Sequence, residues 1–183
     1  PGQTQDLIDA ADTAIAAMLD TADLIIGHQV SSDLAILRNA STRPLRSVEA
    51  LRDRWHTRKT TPALADRTVV DSRYDVGDIL TGTSRRLVDV CGELALEVTQ
   101  PELARRSMTT LHRDGWLTDH NPEAREPITV LNLRHGLSAA YVAARAAGHL
   151  HWTGTVNLNR RLHDQLAGHG IGWLTSPTFQ ALL

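Results

Sequence analysis

Between residues 5 and 19, Leu7, Ile8, Ala11, Ile15, Met18 and Leu19 recur at helical spacing, which predicts an amphipathic helix. The run Leu24-Ile25-Ile26-Gly27 is too short and too β-branched for a helix, and it predicts a buried strand. Ser31-Ser32-Asp33 mark the expected N-terminal edge of a second helix reaching Asn39, with Leu34, Ile36 and Leu37 as its apolar stripe. Pro44 ends that pattern, and a short helix is expected from Ser47, a weak cap, to His56. Thr68-Val69-Val70-Asp71-Ser72 predicts a second strand. From Ser84 to Glu97, Leu87, Val88, Val90, Cys91, Leu94 and Leu96 fall mostly on one helical face.

Further on, Pro101 can open a helix over residues 100–110. The segment from His112 to Pro127 is polar, holds two prolines, and predicts an exposed loop. An alanine-rich helix is expected from Arg134 to Gly148, the glycine ending it. A short polar helix follows at Asn159–Ala167, and Gly168, Gly170 and Gly172 lead into an apolar tail. Strands alternating with helices predict an α/β fold with a mostly parallel or mixed sheet, whose ligands sit beyond the carboxyl ends of the strands.

Composition narrows this picture. With 183 residues, 42% hydrophobic and 22% charged, the chain can bury a core and is not expected to be disordered. A formal net charge of −2 supplies no bulk positive field, so any nucleic-acid contact must come from a local patch. Lys59 is the only lysine; the arginines include the adjacent pairs Arg85-Arg86, Arg105-Arg106 and Arg160-Arg161, which can grip phosphates or simply lie on solvated helix faces. The single cysteine, Cys91, excludes an internal disulfide and reads as a small buried hydrophobe. No stretch approaches the roughly 18 apolar residues of a membrane span, and residues 1–20 lack the layout of a signal peptide. A soluble, cytoplasmic protein with no membrane partner is therefore expected.

The strand Leu24–Gly27 runs directly into His28-Gln29-Val30-Ser31-Ser32-Asp33 and an apolar helix. This segment resembles the second motif of the DEDD 3′–5′ exonucleases, the superfamily of proofreading exonucleases, ribonuclease T and oligoribonuclease. The family pattern is an apolar strand, His-Asn-x-x-Phe-Asp, then an apolar helix; Gln29 stands for the usual Asn and Ser32 for the usual Phe. Val69-Val70-Asp71-Ser72 resembles the following strand, which usually ends in Asp-Thr. The segment Ser84–Leu96 resembles the Leu-x-x-Leu-Cys helix that comes next. His135, followed by an alanine-rich helix, resembles the third motif, His-x-x-x-x-Asp.

The resemblance covers residues 5–148 and implies a ribonuclease-H-like exonuclease fold of the DEDDh type, helix-rich and lacking its first strands. It divides the chain into an exonuclease-like α/β domain, 1–148, and a C-terminal extension, 149–183, packing on the same domain. Members of the family cleave phosphodiesters with two divalent metals held by four carboxylates, and the third-motif His is the general base. Hard Mg²⁺ or Mn²⁺ requires such oxygen ligands. The first motif, Asp-x-Glu, is expected several tens of residues before Pro1, and the last carboxylate position is Ala140. Whether Pro1 is a native start or a cut from something longer, and whether Ala140 is natural, stay open. Asp33 is the one metal ligand carried over, with His135 and Asp33 as catalytic candidates and His28, Gln29, Ser32 and Arg134 as nucleic-acid-binding candidates. The chain alone is expected to need no cofactor; Mg²⁺ or Mn²⁺ would bind if the missing carboxylates were supplied.

Plainer roles stand beside these. Asp33 can be a helix-capping residue, His135 a surface or capping histidine, and Asp71 a structural acceptor at a strand end. His149, His151, His163 and His169 have no cysteine partner or HExxH signature. Asp71, Asp75 and Asp78 lack the EF-hand spacing and predict a solvated loop. Trp116 and Trp152 are candidates for base stacking or a partner surface, and Trp55 and Trp173 for burial. Three functions are compatible with the chain: a catalytically degenerate exonuclease-like module binding nucleotide, nucleic acid or a protein partner; a truncated or inactivated fragment of a metal-dependent 3′–5′ exonuclease; and a metal-independent enzyme using His135 and Asp33 for acid–base chemistry. An exposed sheet edge in this fold would be covered by a homodimer, another protein partner or the segment 149–183.

Overall fold

Ile8 and Ile15 are two helical turns apart, and both are buried on helix α1 (Gly2–Thr21), where Leu19 extends the same line. Leu7 and Met18 fall on the flanks of that line and are exposed, so the buried stripe is narrower than the sequence pattern suggested. This computed structural model describes residues 2–97, 108–111, 113, 125–181 and 183. It is a helix-rich α/β structure that falls into two compact units: Pro1–Thr81 with Val142–His151, and Gly82–Tyr141 with Trp152–Leu183. No helix among the described residues is long and apolar enough to cross a membrane.

In the first unit, strands β1 (Ile25–Gly27) and β2 (Val69–Asp71) pair in parallel, with Gly27 opposite Asp71. Helices α2 (Val30–Ala40) and α3 (Arg46–Thr57) pack with α1 around Ile25, Leu34, Leu45, Val48, Leu51 and Val69. A fully buried Leu or Val of this kind contributes about 1.5–3 kcal/mol relative to exposure. Ile36, two residues beyond the buried Leu34, is turned to the opposite side of α2 and is exposed, correcting its assignment to the apolar stripe.

Both helix starts differ from the sequence expectation in the same way. α2 begins one residue before Ser31, and neither Ser31, Ser32 nor Asp33 caps it; its N-cap position is Gln29, in the left-handed region at φ 65° and ψ 40°. α3 begins at Arg46 rather than Ser47, with no cap from its own N-cap side chain. The orphan N–H groups are satisfied by carboxylates from distant segments. Asp71 accepts from the amides of Gln29 and Val30, and Asp12 of α1 accepts from those of Ser47 and Val48 at 3.0 and 2.9 Å.

The second unit contains α4 (Leu87–Glu93), β3 (Leu96–Glu97), α5 (Met108–Leu111), β4 (Val156–Asn157), α7 (Leu158–Leu166) and α8 (Pro177–Gln180). Here the helix expected over 84–97 is cut at both ends. Residues 84–86 are not helical, Ala95 adopts φ 57°, and Leu96 enters a parallel pairing with Val156. The long helix α6 (Arg125–Ala146) starts nine residues before Arg134, inside the expected loop. Pro127 lies in its first turn, where a missing N–H costs no hydrogen bond. At its other end Gly148 adopts φ 78°, and the amide of His149 donates to the Ala144 carbonyl at 2.8 Å, closing the helix as the sequence predicts. The expected helix over 100–110 falls outside the described residues except for α5. Val130, Leu162, Leu174 and Phe179 form the core around α7 and α8.

Candidate functional site

The carboxyl ends of β1 and β2 converge on one buried group. Asp71 is fully buried, and its two oxygens accept four N–H donors. Oδ1 takes the amides of Gln29 at 2.9 Å and Arg73 at 3.0 Å; Oδ2 takes the amide of Val30 at 3.0 Å and the indole Nε1 of Trp55 at 2.8 Å. The carboxylate thereby holds the turn that carries the chain from β1 into α2. The left-handed backbone at Gln29, uncommon for a residue with a Cβ, is fixed by this contact.

A second buried carboxylate supports the first. Asp75 accepts from the Asp71 amide and from Arg58 Nε, both at 2.8 Å. Lys59 Nζ and an Arg67 guanidinium nitrogen stand 3.8 and 3.5 Å from its other oxygen. Arg58 is itself buried, donates to the Trp55 carbonyl, and lies with Cζ 4.1 Å from the Trp55 ring centroid. Asp71 and Asp75 therefore belong to a buried network rather than to the solvated loop expected from the sequence. Three cations with reach to one carboxylate, and four donors on the other, are what make that burial possible.

Of the residues carried by the resemblance, His28, Gln29, Ser32 and Asp33 lie in the segment that Asp71 holds. Ser72, also fully buried, donates its amide and its hydroxyl to the Gly27 carbonyl at 2.8 and 3.1 Å. His28 Nδ1 lies 3.0 Å from Ser72 Oγ, within hydrogen-bond distance. Gln29 Nε2 donates to Ser32 Oγ at 2.8 Å, tying together the positions of the family's Asn and Phe. Asp33 lies in the first turn of α2 and reaches solvent. Surrounding protein still withdraws its carboxyl from bulk water enough to raise its pKa above 3.8, and the charge of Asp71 raises it further.

His135 and Arg134 belong to the second unit, as does Ala140. His135 is half-buried on α6. Arg134 is fully buried, donates to Asn159 Oδ1 at 2.9 Å, and so turns inward rather than towards a ligand in solution. Nearby, burial pushes the Cys91 thiol up to about 11, with a Ser138 hydrogen bond opposing the shift. Sequence reasoning missed Trp55, Arg58 and Asp75 as members of the strand-end network. The one available signal was the density of Asp and Arg flanking β2.

A two-metal centre can be tested against these residues. All four acceptor directions of Asp71 are occupied by N–H groups, and Asp33 is a single carboxylate with a raised pKa. Among the described residues no group of three His, Cys, Asp or Glu side chains is placed to hold a metal ion. The described residues therefore do not fit two Mg²⁺ or Mn²⁺ ions.

No family model, curated protein or solved structure matches this chain. The chemistry must be argued from the side chains themselves.

Proposed function

We propose that the chain is a catalytically degenerate module of the ribonuclease-H-like exonuclease type, which binds a nucleotide or the end of a nucleic acid without cleaving it. The ligand is assigned to the carboxyl ends of β1 and β2, beside His28, Ser32 and Asp33. The observation that carries this reading is the saturated Asp71 carboxylate. The strand-end acid is spent on fixing the turn from β1 to α2, which preserves a preorganised backbone while withdrawing an oxygen that could hold a cation. The His28 imidazole and the Ser32 hydroxyl are chemically suited to hydrogen-bonding a sugar or base. Mg²⁺ or Mn²⁺ enters only if carboxylates from outside the described residues complete the set.

Isothermal titration of the full chain with Mn²⁺, with and without adenosine monophosphate, tests the reading. Heat from nucleotide binding that does not depend on Mn²⁺, and is weakened by His28→Ala, is expected. Two-site Mn²⁺ binding on the order of micromolar affinity would overturn it in favour of an active metal-dependent exonuclease. Absence of any nucleotide heat would overturn the binding claim.

A further inference from the structure

The second unit carries an open cavity of about 570 Å³ at the start of α7, within the size range of small-molecule sites. Its charge pattern is unusual. The first turn of a helix favours acidic side chains, because the unpaired N–H groups there amount to about half a positive charge. α7 has no acidic residue in its first turn and instead presents Arg160 and Arg161 beside the cavity. Both arginines are exposed, and Asp164, whose Oδ1 lies 3.4 Å from His163 Nδ1, lines the same cavity together with Leu183. Arg160 finds one internal acceptor there, the Leu183 main-chain oxygen at 3.2 Å, and an anion in the cavity would add a second.

Two further features define what that anion would be attached to. Asn157 caps α7 by accepting from the Arg160 amide at 2.9 Å, while its Nδ2 and an Arg160 guanidinium nitrogen converge on the Leu183 main-chain oxygen at 3.5 and 3.2 Å. The corner thus already selects an oxygen acceptor. On another side, Trp152 forms a wall whose plane is fixed. Its Nε1 donates to the Leu94 carbonyl at 2.9 Å, and the Tyr141 ring lies 6.1 Å away, tilted by 57°.

We infer that this cavity binds a phosphate monoester carrying a planar ring, the chemistry of a mononucleotide. The phosphate is held by Arg160, Arg161 and the start of α7, with the ring against Trp152. This site uses different residues in a different unit from the ends of β1 and β2 and does not rest on that reading.

The test is a nuclear magnetic resonance titration of the full ¹⁵N-labelled chain, following the indole signal of Trp152, identified by its loss in Trp152→Phe. Adenosine monophosphate should shift that signal saturably, with a dissociation constant on the order of 0.1–1 mM. Adenosine without phosphate should not. Arg161→Glu, an exposed position whose other amide signals report an intact fold, should weaken binding at least about tenfold. His28→Ala, which is expected to weaken binding at the ends of β1 and β2, should leave this response unchanged, which separates this site from the other. The 5′ end of a phosphorylated strand shares the same chemistry, so a 5′-phosphorylated dinucleotide that binds more tightly assigns the cavity to a strand end. An unmoved Trp152 signal, an equal response to adenosine, or an equal response in Arg161→Glu would overturn the inference.

Discussion

Replacing Asp71 by Asn keeps the size of the side chain and removes half of its function. Whichever way the amide turns, one oxygen still accepts two of the four donors, and the new NH₂ faces the other two. The four donors are the amides of Gln29, Val30 and Arg73 and the Trp55 indole. Two hydrogen bonds to a charged acceptor, each about 1.5–3 kcal/mol, are lost inside a fully buried site, so the expected cost is about 3–6 kcal/mol. That is a large share of the 5–15 kcal/mol by which proteins are typically stable. Urea unfolding followed by far-ultraviolet circular dichroism reads the change as a lower midpoint with an unchanged slope. Trp55→Phe, which removes one donor and keeps most of the ring, should cost about 1.5–3 kcal/mol alone and much less in the Asp71→Asn background. If Asp71→Asn does not fold, the single Trp55→Phe value still carries the test. A loss below about 1 kcal/mol for Asp71→Asn would refute the role assigned to this carboxylate.

The pKa of Asp33 is raised above 3.8 in the folded state, so the folded chain penalises its charged form. That penalty is fully present above the folded pKa and disappears below 3.8. Asp33→Asn should therefore be the more stable protein at neutral pH, with the advantage fading on acidification, and carbon-detected titration of Asp33 should show a midpoint that falls in Asp71→Asn. Arg58→Ala strands the buried Asp75 carboxylate with weaker partners and should cost about 3–5 kcal/mol in urea unfolding; Arg58→Lys, with one nitrogen in place of the planar fork that reaches both Asp75 and the Trp55 carbonyl, should recover only part of it. Cys91, with its thiol pushed up to about 11, should resist a thiol-directed disulfide reagent in the native protein and react fully once denatured.

What the sequence made legible, and what it did not, follows from the range of the interactions. The β-branched runs at 24–27 and 68–72 announce themselves locally, and both become strands in a parallel pair. The two-residue strands β3 and β4 leave no such trace, because pairing Leu96 with Val156 is decided by packing across distant segments. The starts of α2 and α3 were misread by one residue because their caps come from Asp71 and Asp12, which lie 41–42 and 35–36 positions away. Pro127 reads as a breaker and is instead a first-turn residue of α6. Arg134, of a residue type that is seldom buried, is fully buried against Asn159. At the site, the spacing of His28, Gln29, Ser32 and Asp33 was visible, whereas the supporting shell of Trp55, Arg58 and Asp75 depends on contacts that only folding creates.

The central claim is that the proposed site at the ends of β1 and β2 binds a nucleic-acid end or nucleotide and does not cut it. The most direct measurement follows a short oligonucleotide carrying a label at its 3′ end, with the full chain and either Mg²⁺ or Mn²⁺, recording binding by fluorescence anisotropy and release of the labelled nucleotide in the same tube. The account predicts binding that His28→Ala weakens and no release above the level seen with Asp33→Asn. Metal-dependent release of the 3′ nucleotide that Asp33→Asn abolishes would contradict it.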